Sequence, residues 1–315
     1  MDGGRDPRIW VGLDRLAQLG VRARNIDFLP RQPVGSALSG RRASRLRGRG
    51  LEFEEIRAYL PGDDIRNMDW RVTARTGNPH VRVTREERDR PALILVDQRQ
   101  AMFFGSRLNM KSVTAAEFAA LTAWRILGAG DRVGGMVITE TGTAFVKARR
   151  SRASVLQFLS LVAESNDALS AITPSSAEAP GLLNQAIAKA AQIVSHDWLL
   201  LIVSDFDGAD DETFRILTGI ARGNDLVLAA VSDPLAHELP AQGRLVAGDG
   251  RLQVELDLTE ARARRNLTEV GGERLKRLLS WQDRLDAAIL PLDSGEPTEP
   301  QVLRLLGGRS GGIRR

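Results

Sequence analysis

Three carboxylates, Asp63, Asp64 and Asp69, lie close together in the stretch RGLEFEEIRAYLPGDDIRNMDWRVTAR from Arg49 to Arg75. Acidic residues at this spacing could hold a divalent ion for phosphoester hydrolysis. The preferred reading is structural. Asp63 and Asp64 follow Pro61-Gly62, where an Asp caps a turn or a helix start. Arg57, Arg66 and Arg75 supply cations to pair with them, so the net negative potential is small and metal affinity poor. Two further carboxylates, Asp97 and Asp205, each end a short apolar run. Five guanidinium groups at Arg41, Arg42, Arg45, Arg47 and Arg49 could contact phosphate or another anion. The alternative is a solvated loop pairing with nearby acids. No aromatic is interleaved to stack a base, so nucleic acid is not the expected partner. His80, His196 and His237 are too far apart for H-x-x-x-H ligand spacing, and no G-x-x-x-x-G-K-(S/T) phosphate loop occurs. Ser106 and Ser204 have no recognisable His–acid companions. No catalytic or cofactor-binding residue is assigned, and the expectation is a protein that is not an enzyme.

At 315 residues the chain can bury a full core. It contains no Cys, which removes disulfides and thiolate sites from consideration. No apolar run approaches the roughly 20 residues that span a bilayer, and MDGGRDPRIW lacks the features of a signal peptide. A soluble, cytoplasmic protein is expected. The net charge of +4 is unevenly placed, because residues 1–90 carry 19 Arg against 13 Asp and Glu.

The elements that would position these groups follow from periodicity. Ile9 to Leu19 carries a helical stripe at Trp10, Leu13, Leu16 and Leu19. His80 to Thr84 alternates like a half-buried strand. The run ALILVD ending at Asp97 has the form of a parallel strand buried on both faces. A helix over 111–127, strands over 131–139 and 143–147, and helices over 153–163 and 181–194 come next. Then WLLLIVS ends beside Asp205, and a helix over 211–222 and a strand over 225–232 follow. A hairpin around Gly248-Asp249-Gly250, a long helix over 259–284, a strand over 287–292 and a helix over 299–306 complete the order. Strands alternating with helices imply an α/β fold with a doubly wound, mostly parallel sheet. Ligands of such sheets sit at the carboxyl ends of the strands, where Asp97 and Asp205 both fall.

The Arg49–Arg75 stretch resembles the signature G-x-EF-x-x-x-R-x-Y-x-PGDD-x-R-x-x-DW-x-x-(S/T)AR of the domain-of-unknown-function-58 family. Phe53, Arg57, Tyr59, Pro61, Gly62, Asp63, Asp64, Arg66, Asp69, Trp70, Ala74 and Arg75 stand at its positions. Residues 91–306 are similar to a von Willebrand factor A-type domain, through DQRQAMFFGS, Lys111, Glu117 and GAGDRVGG. That resemblance implies residues 91–306 as the A-type domain, with residues 1–90 expected to be an N-terminal, strand-containing elaboration and the Gly- and Arg-rich 307–315 a disordered tail. It also implies a metal-ion-dependent adhesion site built from an Asp and two Ser, a Thr, and a second Asp. Asp97 and Asp205 keep the carboxylates, but Arg99 and Ala101 replace both hydroxyl residues. Ser175 and Ser176 lie near the Thr position. Magnesium requires near-octahedral oxygen coordination, so a degenerate site is expected, with at most weak Mg2+ or Mn2+ binding. A guanidinium at Arg99 could neutralise both carboxylates. Partners implied by the resemblance are a MoxR-type AAA+ ATPase and other A-type-domain proteins, in assembly, maturation or stress response. Tyr59 and Trp70 would be anchors on the A-type domain or on a partner. Three functional readings stay open: a chaperone-like adaptor, an anion or nucleic-acid binder using the Arg-rich arm, and a metal-dependent hydrolase using Asp63, Asp64 and Asp69.

Overall fold

The computed structural model describes residues 5–26, 51–86, 90–173, 179–236, 244–248, 253–257, 274, 276–282 and 284–306. They divide into a small unit within 37–89 and a large unit that joins the N-terminal residues to everything from Arg90 onward.

The large unit is built on a six-stranded sheet. Its strands are β3 (Ala92–Asp97), β4 (Val133–Thr139), β5 (Gly142–Arg149), β6 (Leu199–Ser204), β7 (Asp225–Ser232) and β10 (Ala288–Asp293). The order is β10-β7-β6-β3-β4-β5, and only β5 runs antiparallel, at one edge. Continuous apolar runs make the central strands, because both faces of a parallel sheet are covered. Side chains alternate between two cores. Ile94, Val96, Leu201, Val203 and Val227 enter one; Leu93, Leu95, Leu200, Ile202 and Leu228 enter the other. The first core is closed by α1 (Leu13–Arg22), α3 (Lys111–Gly128), α4 (Arg152–Asp167) and α8 (Thr298–Leu306). The second is closed by α5 (Ala179–Ile193), α6 (Asp211–Ala221) and a helical stretch over 276–282 and 284–285, α7. Pro291 sits in the edge strand β10, where a missing N–H costs least. Helices on both faces of a mostly parallel sheet make the doubly wound α/β fold that the strand–helix alternation implies.

The N-terminal helix belongs to the large unit. Its stripe buries Leu16 and Leu19 in the first core. Trp124 of α3 donates its indole N–H to the Leu16 carbonyl at 3.0 Å. The helix also starts later than its stripe, after Gly12, because Ile9 and Trp10 close a turn onto the Asp6 carbonyl. Ahead of it, the Val11 N–H donates to Asn166 Oδ1 at 2.8 Å, and Trp10 donates to the Leu169 carbonyl at 3.0 Å.

The small unit contains β1 (Leu51–Ala58), α2 (Trp70–Thr76) and β2 (His80–Glu86). The strands pair antiparallel with a bulge between Phe53 and Glu55. The hairpin foreseen around Gly248 is present as β8 (Arg244–Gly248) and β9 (Gln253–Asp257). Residues 259–273 of the expected long helix, the Arg-rich residues Arg41, Arg42, Arg45, Arg47 and Arg49, Ser175 and Ser176, His237, and the 307–315 tail lie outside the described residues.

Packing between β4 and α4 is tight enough to test. A Cβ at Gly135 would lie 1.9 Å from the Phe158 ring, whereas one at Gly128 would meet nothing. Gly135→Ala should therefore destabilise by about 1–3 kcal/mol through overpacking. Gly128→Ala should be neutral or stabilising by up to about 1 kcal/mol. Urea unfolding of the two variants checks both signs.

Candidate functional site

The strand order reverses at β3. The chain steps from β3 to β4 on one side, then returns to place β6 and β7 on the other. A crevice at the carboxyl ends of β3 and β6 is the place such sheets offer to a ligand, and Asp97 and Ser204 are the last residues of those strands.

Asp97 and Arg99 are fully buried. Arg99 Nε donates to Oδ1 and Oδ2 of Asp97 at 3.0 and 3.2 Å, and Nη2 donates to Oδ2 at 2.7 Å. The Arg99 backbone N–H adds a bond to Oδ1 at 3.0 Å. Ser204 Oγ donates to Oδ2 at 2.6 Å and accepts the Phe206 N–H at 2.9 Å. Charge-assisted, forked bonds of this kind are among the stronger ones a protein makes. Phe206 is held at φ 56° and Gly208 at φ 82°, so the chain after β6 turns sharply. That turn brings the Asp207 carbonyl within 3.1 Å of Arg99 Nη2. Burial works against the Arg99 charge, but Asp97, Asp205 and Asp207 outweigh it and hold the guanidinium above its ordinary value.

Asp205 is paired separately. Lys111, the first residue of α3, donates from Nζ to Oδ2 at 2.5 Å, and Arg274 Nη1 reaches the same oxygen at 3.4 Å. Arg274 Nη2 also binds Asp207 Oδ1. Burial pushes the Asp205 carboxyl up, yet Lys111, Arg274 and the Asp207 N–H together bring it below its ordinary value. Three carboxylates at 97, 205 and 207 thus face three cations at 99, 111 and 274. Ala101 sits in a 3-10 turn over Gln100–Met102 and offers no ligand atom. Around the centre, Gln98 donates to the Ser112 carbonyl and accepts from Asn166 at 3.0 Å. Gln100 reaches the Ser170 carbonyl at 2.7 Å. Ser106 Oγ binds the buried Asp233 carboxylate at 2.6 Å, and Ser294 donates to the same group.

In the small unit the three neighbouring acids each serve the backbone. Asp63 accepts from Arg57 Nη1 and Nη2 at 2.8 Å each and from the Leu60 N–H at 2.8 Å. The Arg57 guanidinium, with that N–H, holds the Asp63 carboxyl below its ordinary value. Asp64 caps a 3-10 turn over Ile65–Asn67 through the Arg66 N–H. Asp69, buried, caps α2 through the N–H groups of Arg71 and Val72. Gly62 at φ 107° closes the Pro-Gly turn, and Gly77 at φ 76° ends α2. Tyr59 donates its backbone N–H to the Pro79 carbonyl. Trp70, Arg66 and Arg75 are exposed. Among the described residues no group of three His, Asp or Glu is arranged to hold a metal ion, and no helix is long and apolar enough to cross a membrane.

The family profile described as "Protein of unknown function DUF58" matches residues 55–274. The chain belongs to the DUF58 family. It is 30% identical over 232 residues to the uncharacterized proteins Mb1516 of Mycobacterium bovis and Rv1480 of Mycobacterium tuberculosis, covering 74% of this chain and 71% of each relative. Among solved structures it is similar to BatB from Bacteroides thetaiotaomicron, with TM-score 0.38 and 12% identity over 67% of this chain and 92% of that one. The SpRpn10 VWA domain has TM-score 0.36 and 9% identity over the same shares.

Of the residues singled out from the DUF58 resemblance, Asp97, Arg99, Lys111 and Asp205 come together. Asp207, Ser204 and Arg274 were not singled out as site residues. Asp207 had a visible signal, in the run SDFDG, whereas Arg274 lies 69 positions from Asp205 and had none.

Two outcomes follow from the pairing. Arg99→Met leaves a buried, uncompensated Asp97 and should cost about 3–5 kcal/mol, and Asp97→Leu/Arg99→Met should cost less than Arg99→Met alone; urea unfolding measures both. A carboxylate lower in the folded than in the unfolded state stabilises above its unfolded pKa, and the benefit disappears as pH falls through the folded one. The Asp205 contribution is therefore complete above about pH 4 and lost below it. Lys111→Met should move the acid-unfolding midpoint to higher pH, read by circular dichroism.

Proposed function

We propose that this DUF58 protein is a non-enzymatic protein-interaction module that works with a MoxR-type AAA+ ATPase in the assembly or maturation of complexes. In this reading its adhesion-type site uses Arg99 in place of a divalent ion. The observation that carries the reading is the forked Arg99–Asp97 pair, buried and continuous with Ser204 and the Asp207 carbonyl. The donor set does not fit a divalent ion. Positions 99 and 101 supply a guanidinium and a methyl group where hydroxyls would be needed, and Asp97 and Asp205 already bind protein cations. Placing an octahedral ion there would displace Arg99 and leave its charge buried.

A fixed internal cation changes what the rim can do. An exposed metal can accept a carboxylate from a partner. Arg99 cannot, because it is fully buried and its Nε and Nη2 donors bind Asp97 and the Asp207 carbonyl. Asp97, Arg99 and Asp205 therefore set the shape of the rim, and partner contacts fall to exposed residues around it. The hydrolase reading is less well supported, since Asp63, Asp64 and Asp69 each cap a separate stretch of backbone.

Restoring the hydroxyls tests the substitution. Arg99→Ser/Ala101→Ser should gain thermal stability on adding Mg2+ or Mn2+, by mass action on the folded state, while the parent protein should show no change. A parent stabilised by several degrees would contradict the reading. Sedimentation with the purified MoxR-type ATPase of the same genome tests the partner: a discrete complex is expected, and its absence overturns the adaptor assignment.

A further inference from the structure

Besides Ile56 at 37%, three large apolar side chains described in the small unit face solvent: Leu60 at 58%, Ile65 at 64% and Trp70 at 69% of their full exposure. Surface hydrophobics scattered singly need no explanation. These three lie within one short segment whose backbone is fixed at every step. Arg57 and the Leu60 N–H grip Asp63, Asp64 caps the 3-10 turn that begins at Ile65, and Asp69 caps the helix that begins at Trp70. The Asp69 N–H donates to the His80 carbonyl at 2.8 Å, and Met68 bridges to Val81, tying the segment to β2. A backbone held in this way has less ordering entropy to lose on binding.

The charge around them is mostly positive. Among the described side chains of this unit, Arg66, Arg71 and Arg75 are exposed, and Asp64 is the exposed carboxylate. Asp64 is occupied by the Arg66 N–H, while Asp63 and Asp69 are turned to caps and to Arg57. Asp63 and Asp69 are thus turned to the segment's own fold, and it presents three guanidinium groups outward against the one exposed carboxylate of Asp64. Arg71 and Arg75 are one helical turn apart on α2, which places them on one side of that helix.

We infer that Leu60, Ile65 and Trp70, with Arg66, Arg71 and Arg75, form a docking surface for an acidic protein segment bearing aliphatic side chains. This inference rests on the interaction-module reading and names the chemistry of the partner. Trp and Arg are the residue types that most often dominate such interfaces. Aliphatic Leu60 and Ile65 have no π face on which a base could stack, so this surface favours an apolar peptide over single-stranded nucleic acid.

The test uses fluorescence anisotropy on the full chain. The probe is a short labelled peptide of Asp, Glu and Leu. Its controls carry Lys for the acids or Ser for Leu, and a labelled single-stranded oligonucleotide is run beside them. The acidic Leu peptide should bind best. Trp70→Ser and Arg71→Glu/Arg75→Glu should each weaken it by about tenfold or more. Both variants should keep the parent Tm, since these side chains are exposed. Equal binding of the parent and both variants, or tighter binding of the oligonucleotide at the same residues, overturns the inference. So does a loss of several degrees in Tm, which would mean the side chains pack within the chain. A parent that binds the ATPase but not the peptide overturns this surface and leaves the adaptor reading standing. Peptide binding without an ATPase complex does the reverse.

Discussion

A guanidinium and a carboxylate buried together are tolerable only while both stay paired and fully hydrogen-bonded. At the carboxyl end of β3 that condition governs everything nearby. Arg99 forks onto Asp97 while Ser204 adds a third donor to the carboxylate and the Asp207 carbonyl takes a further bond from Nη2. The Asp207 carbonyl reaches Arg99 only through a turn in which Phe206 adopts a left-handed conformation that non-glycine residues seldom take. Such a conformation costs of order 1–3 kcal/mol and persists when its surroundings over-determine it. Here Phe206 is buried, and its N–H is bound by Ser204. The second ring of contacts, Lys111 and Arg274 on Asp205 and Asp207, then leaves the cluster with as many cations as carboxylates.

The small unit solves a related problem by other means. Asp63, Asp64 and Asp69 bind backbone N–H groups at a turn, a 3-10 turn and a helix start, and Asp63 also binds Arg57. One consequence is shared by both units. Carboxylates that look in sequence like a metal or catalytic set are hydrogen-bonded within the chain in each.

Much of the sheet was legible because a strand buried on both faces has no polar residue until it ends. ALILVD and WLLLIVS mark β3 and β6 and also point to Asp97 and Asp205 at their ends. The replacement of hydroxyls by Arg99 and Ala101 was visible too. What periodicity could not supply was destination. The Leu13–Leu16–Leu19 stripe shows that a face is buried but not that Trp124 and α3 receive it. β1 was hidden because its acidic sequence, LEFEEIRA, does not alternate cleanly, and the bulge between Phe53 and Glu55 shifts its register. Arg274 was hidden by distance along the chain.

The most direct measurement is anomalous X-ray scattering from crystals of the parent protein grown with Mn2+. The account predicts density for the Arg99 guanidinium lying flat against Asp97, with no manganese peak between Asp97, Ser204 and Asp205. A manganese peak at that position, with Arg99 swung out of the crevice, would contradict it.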